Sequence, residues 1–489
     1  MLKPYETELL GRVEPGFFID GRWERPDTRE LFNVHDPSTG EIIKSVASAT
    51  VEDALRALDA AAGAQQTWAS TPSRVRSNIL RRAFDLLTAR KEDFALLISL
   101  EMGKPLAEAR DEVDYGAEFL RWFSEEAVRV RGDYRPTPEG TGTIVVTHRP
   151  VGPTYVITPW NYPLAMATRK MAPALAAGCT VVVKPAELTP LTTNYFAQLL
   201  AEAGVPAGVV NVVPTSDPAA QSQALLADAR LRKISFTGST AVGTALMATA
   251  ATNALRTSME LGGNAPFVVF EDADLDNAVQ AVVLAKFRNT GQACTAANRV
   301  IVHDSIADDF VERLSKRVNA MKVGRGTEAG VEVGLLITPK ARDNVSRLVE
   351  DALNNNATLV TGGKPLAAPG NFFQPTVIDR VPPNAALMNE EIFGPVLGIF
   401  RFTAETEAVE LANKTPFGLV GYVFTEDLHR GHRMINSIDT GMMGLNVGAI
   451  SNAAAPFGGI KLSGLGREGG FEGIHEYLSP KYTLLPHQR

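Results

Sequence analysis

The sequence predicts an α/β fold made of two units, each with a largely parallel sheet. Three observations lead there. From residue 151 onward, short apolar runs alternate with helical stretches of about ten residues, the pattern of βαβ connections. The alternation breaks in MELGG, near 258–262, and resumes with NAPFVVF at 264–270. A chain of 489 residues exceeds what one core serves, so two or three domains are expected.

The first fifty residues read as short strands and turns, FFIDGRW (17–23) and the turn-rich HDPSTGEII (35–43). Thr50, with Asp53 three residues on, approximates a capping box, and Leu55, Leu58 and Ala62 then share one helical face. A second helix is expected unbroken through 77–103, and a third over 107–130. Segment 141–152, TGTIVVTHRPVG, is β-rich. It reads equally as an arm that pairs with another subunit or as an ordinary sheet edge. The tail 480–489 could pair with it. Strands then follow at PTYVIT, CTVVVKPAE, GVVNVVP and KISFTGST, each separated from the next by a helical stretch. After NAPFVVF come a helix at 274–286, RVIVHDSI, a helix at 306–321, and later LGIFRF and LVGYVFTED.

Composition narrows the function. With 45% hydrophobic and 21% charged residues, the chain is that of a soluble globular protein. A net charge of −7 without any Lys/Arg block argues against nucleic acid or an anionic membrane as partner. Cys179 and Cys294 are the only cysteines, which excludes a disulfide framework and fits a reducing cytoplasm. The N-terminus lacks an apolar signal core, and no apolar run is long enough to span a membrane. The seven histidines have no metal-ligand spacing, so no metal is expected.

Cys294 in FRNTGQACTAANR and Glu260 in MELGGNAP stand among glycines and small or polar residues. A thiolate beside a carboxylate able to activate water suits an enzyme that forms and hydrolyses a thioester. Taken alone, each has a plainer reading, a buried small hydrophobe and a glycine turn. In ISFTGSTAVG, Gly238 and Ser239 open a helix whose N–H groups suit a dinucleotide pyrophosphate, or merely cap it. Gly238 and Gly243 have Walker A spacing, but Thr244 replaces the lysine. The literal G-x-G-x-x-G at Gly464, Gly466 and Gly469 follows no clear strand and reads as a loop. Lys184 and Glu187 follow an apolar strand, where α/β sheets bind ligands. A carboxylate there favours NAD over the 2′-phosphorylated cofactor, although KPxE is more often a surface turn. Asn161 in ITPWNYP either donates to an oxyanion or makes a structural turn. Cys179 starts an apolar strand and reads as core.

With these residues in hand, the chain resembles the aldehyde dehydrogenase superfamily over nearly its whole length. The matching blocks are PWNYP, KPAELTP, FTGSTAVG, ELGGNAP, GQAC, EEIFGPV (390–396), GLNVG (444–448) and APFGGIKLSGLGREGG (455–470). The resemblance implies an aldehyde dehydrogenase-like fold. A Rossmann-like cofactor domain (1–130 and 151–258) joins an α/β catalytic domain (259–460) and a β-arm with tail (131–150 and 475–489) for oligomerisation. A homodimer or homotetramer is expected. Residue by residue, it implies Cys294 as nucleophile, Glu260 as general base, and Asn161 with the Cys294 N–H as oxyanion hole. Cofactor contacts would come from Thr158, Pro159, Trp160, Lys184, Glu187, Gly238, Ser239, Val242, Leu261, Glu391 and Phe393, holding NAD by preference or NADP. Tyr162 and Phe457 match positions that line the aldehyde tunnel.

Within the superfamily the chain looks most like the succinate-semialdehyde dehydrogenases, on Arg169 in MATRK, Arg288 in KFRNTGQAC and Ser451 in GAISN. In those relatives two arginines and a serine grip the substrate's distal carboxylate, which implies a role in γ-aminobutyrate degradation. Arginine suits that task because it binds a carboxylate bidentately. Two departures matter. Ala296 stands where some members carry a second cysteine, so that redox-switch disulfide is not available. Glu187 stands where some bacterial relatives that prefer NADP have a small residue. The rival readings are a dehydrogenase for glutarate semialdehyde or a general aldehyde, a CoA-acylating relative, an inactive scaffold on the same fold, and a plain thiol hydrolase.

Overall fold

The computed structural model describes residues 2–25 and 30–486. The first sheet has eight strands, in the order Arg22–Glu24, Phe17–Ile19, Val210–Val212, Val181–Lys184, Thr154–Ile157, Lys233–Thr237, Arg256–Glu260 and Gly464–Leu465. The five strands from Val210–Val212 to Arg256–Glu260 are parallel, and the added edges are antiparallel. The second sheet has seven strands, Thr358–Thr361, Thr376–Asp379, Val396–Phe402, Ala297–His303, Ala265–Val269, Val420–Phe424 and Met442–Leu445. All its pairs are parallel except the first. The central strands of both sheets are buried, which explains their unbroken apolar runs. The chain crosses from one sheet to the other between Glu260 and Ala265.

Local chemistry accounts for the helices. Thr50 accepts the Asp53 N–H at 3.2 Å, and Asp53 accepts the Thr50 N–H at 3.0 Å, closing the capping box. The buried face of Val51–Ser70 centres on Ala54, Ala57, Leu58 and Ala61, with Leu55 and Ala62 flanking it half-buried. The stretch expected as one helix over 77–103 is two, Ser73–Ala89 and Lys91–Met102, broken at Arg90. The break puts Glu92 and Asp93 in a first turn, where carboxylates meet the positive helix end. Gly103 then stops the second helix in a left-handed conformation, φ 89°. The third helix is Leu106–Glu126, shorter than expected at its end. Pro4–Arg12 is a helix within a segment that reads as strands and turns, started by Pro4 and by Glu6 accepting the Lys3 N–H at 2.7 Å.

The tail does pair with the β-rich segment. Leu478–Pro486 runs antiparallel to Gly142–Pro150, which also pairs with Asp133–Pro136. Residues 487–489 of the expected tail lie outside the described residues. Late in the chain, Ala453, Ile474, Tyr477 and Leu478 pack into the first core, beside Phe119, Phe123 and Met171. Among the described residues no helix is long and apolar enough to cross a membrane, and no cluster of His, Cys, Asp or Glu could hold a metal ion.

Candidate active site

A cavity of about 410 Å³ opens at the C-terminal ends of the strands where the two sheets meet. Loops at the strand ends and two helices, Leu106–Glu126 and Ala165–Ala177, supply it. The loop after Thr154–Ile157 gives Pro159, Trp160, Asn161 and Tyr162, and the buried helix Ala165–Ala177 gives Arg169. Gly238 and Ser239 come from the turn into the helix Thr240–Ala251, and Leu261 from the crossover. Arg288, Cys294, Glu391, Phe393, Ser451 and Phe457 complete the sequence-predicted set on its wall. Thr158, Lys184, Glu187, Val242 and Glu260 lie off that wall. Thr158 donates its N–H to the Lys184 carbonyl at 3.2 Å, and the half-exposed Glu187 carboxylate accepts from Lys184 Nζ at 3.4 Å.

The motifs touch because glycines let them. A Cβ on Gly263 would meet the Cys294 carbonyl oxygen at 2.3 Å, and one on Gly262 would meet Glu391 Oε2 at 2.7 Å. The ELGG segment therefore packs directly on the cysteine turn. That turn is strained: Asn289 and Thr290 have φ of 55° and 58°. Backbone outliers of this kind persist only where their surroundings hold them. Asn289 Nδ2 donates to the carbonyls of Asn161, at 3.1 Å, and Gln292, at 2.9 Å.

Cys294 is half-buried, and desolvation pushes its thiol up to about 12, against the pull of Arg169 and Arg288. Among the described residues its main-chain N–H donates to no acceptor. Asn161 Nδ2 spends one hydrogen on the Gln292 carbonyl at 2.9 Å and keeps a second. Glu260 is buried at the end of its strand, and its Oε2 has no hydrogen-bond partner among the described residues. Burial and the nearby Glu468 carboxylate raise its pKa well above the usual range.

The two arginines differ in state. Arg169 is buried in ion-pair contact with Glu468, without an aligned hydrogen bond, and stacks 4.2 Å from the Phe457 ring. Arg288 forms no ion pair among the described residues and reaches only Thr295 Oγ1, at 3.5 Å. Lys104 and Glu112, charged groups on the wall, lie outside every motif. Lys104 Nζ donates to the Asn161 carbonyl at 2.9 Å, lies 3.8 Å from the Tyr162 ring centre, and pairs with Glu112. Glu112 also accepts the N–H groups of Leu164 and Ala165, capping the helix that carries Arg169. Glu391 accepts the Gly263 N–H at 3.0 Å, and burial pushes its carboxyl up to about 7. Trp160 and Phe393 meet edge to face, 5.5 Å between centres.

The fold and the sequence have close counterparts. Residues 23–483 match the model of the aldehyde dehydrogenase family. A succinate-semialdehyde dehydrogenase of Paenarthrobacter nicotinovorans is 59% identical over 441 residues, 90% of this chain and 98% of its own. A glutarate-semialdehyde dehydrogenase of Pseudomonas aeruginosa is 46% identical, over 96% of this chain and 97% of its own. The crystal structure of an E. coli NADP dependent enzyme superposes with a TM-score of 0.96 at 44% identity, covering 98% of this chain and 99% of that one. The chain belongs to the aldehyde dehydrogenase family. It is an oxidoreductase that oxidises an aldehyde at the expense of NAD(P).

Proposed function

We propose that this enzyme oxidises succinate semialdehyde to succinate through a thiohemiacetal and then a thioester on Cys294, with NAD as its preferred cofactor. One observation carries the substrate reading. The Arg288 guanidinium lines the same cavity as Cys294 and has no ion-pair partner among the described residues. Arg288 is half-buried and the Glu108 carboxylate attracts it only beyond ion-pair distance, so a substrate carboxylate can supply the close counter-charge. Arg169, Ser451, Tyr162 and Phe457 line the rest of that wall, and Arg169 is the weaker reader because Glu468 already neutralises it.

The cofactor-facing residues fit a dinucleotide. Thr240–Ala251 is an apolar helix with only Gly243 and Ala250 buried, and Val242 is 51% exposed, leaving a face for an adenine to cover. Its N-terminus offers N–H groups beside Gly238 and Ser239 for a pyrophosphate. Lys184 and Glu187 would hold the adenosine ribose, with Thr158 and Pro159 beside them. Glu391, Phe393, Trp160 and Leu261 would hold the nicotinamide end. When bound, the nicotinamide accepts the hydride.

The chain's own residues do the rest. The Cys294 thiolate adds to the aldehyde carbonyl. The free hydrogen of Asn161 Nδ2 and the Cys294 N–H stabilise the resulting oxyanion, where one donor is worth roughly 10²–10³ in rate. After oxidation, Glu260 takes a proton from water, which attacks the thioester, and the acid leaves as Cys294 is restored. A carboxyl held above its usual range by burial is suited to that proton transfer near neutral pH.

We read residues 1–130 and 151–258 as the cofactor domain, 259–460 as the catalytic domain, and 131–150 with 475–489 as an oligomerisation arm. Exposed Tyr134, Tyr482, Leu484 and Leu485 on the arm support an interface in a homodimer or homotetramer. The reading implies a cytoplasmic enzyme of γ-aminobutyrate degradation. Glutarate semialdehyde is the second substrate reading, favoured by the Pseudomonas relative.

The test is kcat/KM for succinate semialdehyde, glutarate semialdehyde and butanal, in the wild type and in Arg288→Ala and Arg169→Ala. Wild type should favour succinate semialdehyde. Arg288→Ala should lose about 2 kcal/mol or more, roughly 30-fold, on it and far less on butanal. Equal losses on both aldehydes would remove Arg288 from substrate reading.

A further inference from the structure

Glu108 stands in the first turn of Leu106–Glu126, in a segment without any motif. Its side chain lines the cavity that holds Arg288 and Cys294. Its Oε2 accepts the main-chain N–H of Asn289 at 2.9 Å, across 181 residues of sequence. Asn289 directly follows Arg288, at the left-handed turn whose φ values are 55° and 58°. Such a turn springs to another conformation unless it is held.

Two sets of contacts hold it. On the Cys294 side, the Asn289 amide donates to the Asn161 and Gln292 carbonyls. On the Arg288 side, the Glu108 carboxylate takes the Asn289 N–H. The Arg288 side chain adds only a 3.5 Å hydrogen bond to Thr295 and a longer-range attraction to the Glu108 carboxylate, which Glu108→Gln removes while keeping the acceptor for Asn289. Losing Glu108 therefore releases the arginine end of the turn and leaves the cysteine end anchored.

We propose that Glu108 is a specificity-determining positioning residue, which holds the Asn289 N–H and so fixes the turn that presents Arg288 to the substrate carboxylate. This rests on the reading of Arg288 given above. Burial pushes the Glu108 carboxyl up to about 7. The acceptor oxygen that holds Asn289 is present in either protonation state, so the anchor survives a change of charge.

The experiment compares kcat/KM for succinate semialdehyde with that for butanal. The variants are Glu108→Met and Glu108→Ala, which remove the acceptor, Glu108→Gln, which keeps one, and Arg288→Ala in parallel. Glu108→Met fills the same space, so one soluble variant of the first pair suffices. Removing the acceptor should lower the succinate semialdehyde-to-butanal ratio about tenfold, chiefly through KM. Glu108→Gln should restore it to within about threefold of wild type. If Arg288→Ala lowers the ratio and Glu108→Met and Glu108→Ala do not, Glu108 has no positioning role and the Arg288 reading stands. An equal loss on both aldehydes in the Glu108 variants overturns the proposal too, because it marks a general support of the cysteine turn. If Arg288→Ala leaves the ratio unchanged, the substrate reading fails and takes the Glu108 proposal with it.

Discussion

Cys294 sits in surroundings that oppose its task. Burial favours the neutral thiol, and Glu391 and Glu260 add to that, while Arg169 and Arg288 pull the other way without prevailing. Only the thiolate is a strong nucleophile. With the thiol pushed up to about 12, the thiolate fraction grows as pH rises throughout the neutral range. Alkylation of Cys294 by iodoacetamide, in enzyme free of cofactor, should therefore speed up about tenfold per pH unit between roughly pH 7 and 9, without a plateau. A plateau near neutrality would mean that the resting thiol is already activated. Cys179 is an internal control: it is fully buried, its Sγ donates to the Tyr477 carbonyl at 3.4 Å, and burial pushes its thiol up to about 11. It should stay unlabelled over the same range.

At the level of strands and helices, PWNYP, KPAELTP, FTGSTAVG and ELGGNAP were legible because each begins where a strand ends. The strand Val181–Lys184 delivers Lys184 directly and Glu187 three residues later. On the proposed reading the half-exposed Glu187 carboxylate, which accepts from Lys184 Nζ through one oxygen, would accept ribose hydroxyls through the other and would repel a 2′-phosphate. Glu187→Ser should therefore shift the NADP-to-NAD ratio of kcat/KM about tenfold toward NADP, or about 1.4 kcal/mol. A wild type already favouring NADP by that margin would take the choice away from Glu187. What the sequence hid were partners brought in from remote stretches of chain, Lys104 from the turn after Lys91–Met102 and Lys170 from the helix Ala165–Ala177. Lys104 meets Asn161 across 57 residues and Lys170 meets Glu468 across 298, and neither pairing leaves a local pattern. A polar residue on an amphipathic helix looks the same whether it faces water or a cavity. The break at Arg90 was hidden for a different reason, since neither glycine nor proline marks it. The literal G-x-G-x-x-G proved to be neither a fingerprint nor only a loop. Gly464–Leu465 is an edge strand against Met259 and Glu260, and a Cβ on Gly464 would strike the Met259 carbonyl.

For the molecule as a whole, the alternation of strands and helices gave the two sheets, but not how the end of the chain returns to the first one. The tail forms a nine-residue ladder from Leu478↔Pro150 to Pro486↔Gly142. Removing 478–486 would turn the middle strand of that small sheet into an open edge. Such a truncation should sediment as a smaller species than the full chain. Unchanged sedimentation would show that the arm does not hold subunits together.

The return of the chain end also sets an order in time. Gly464 pairs with Glu260, Glu468 meets Arg169 and Lys170, and Ser463 Oγ donates to the Gly262 carbonyl across 201 residues. During synthesis, the strand that bears Glu260 emerges long before the segment that covers it. Until that segment arrives, two buried cations and a buried acid stay solvated, and the first sheet keeps an open edge. Contacts so distant in sequence form late and slowly, because chain closure must precede them. A nascent chain stalled before Gly464 would thus hold nearly every residue of the reaction and still have no reaction centre.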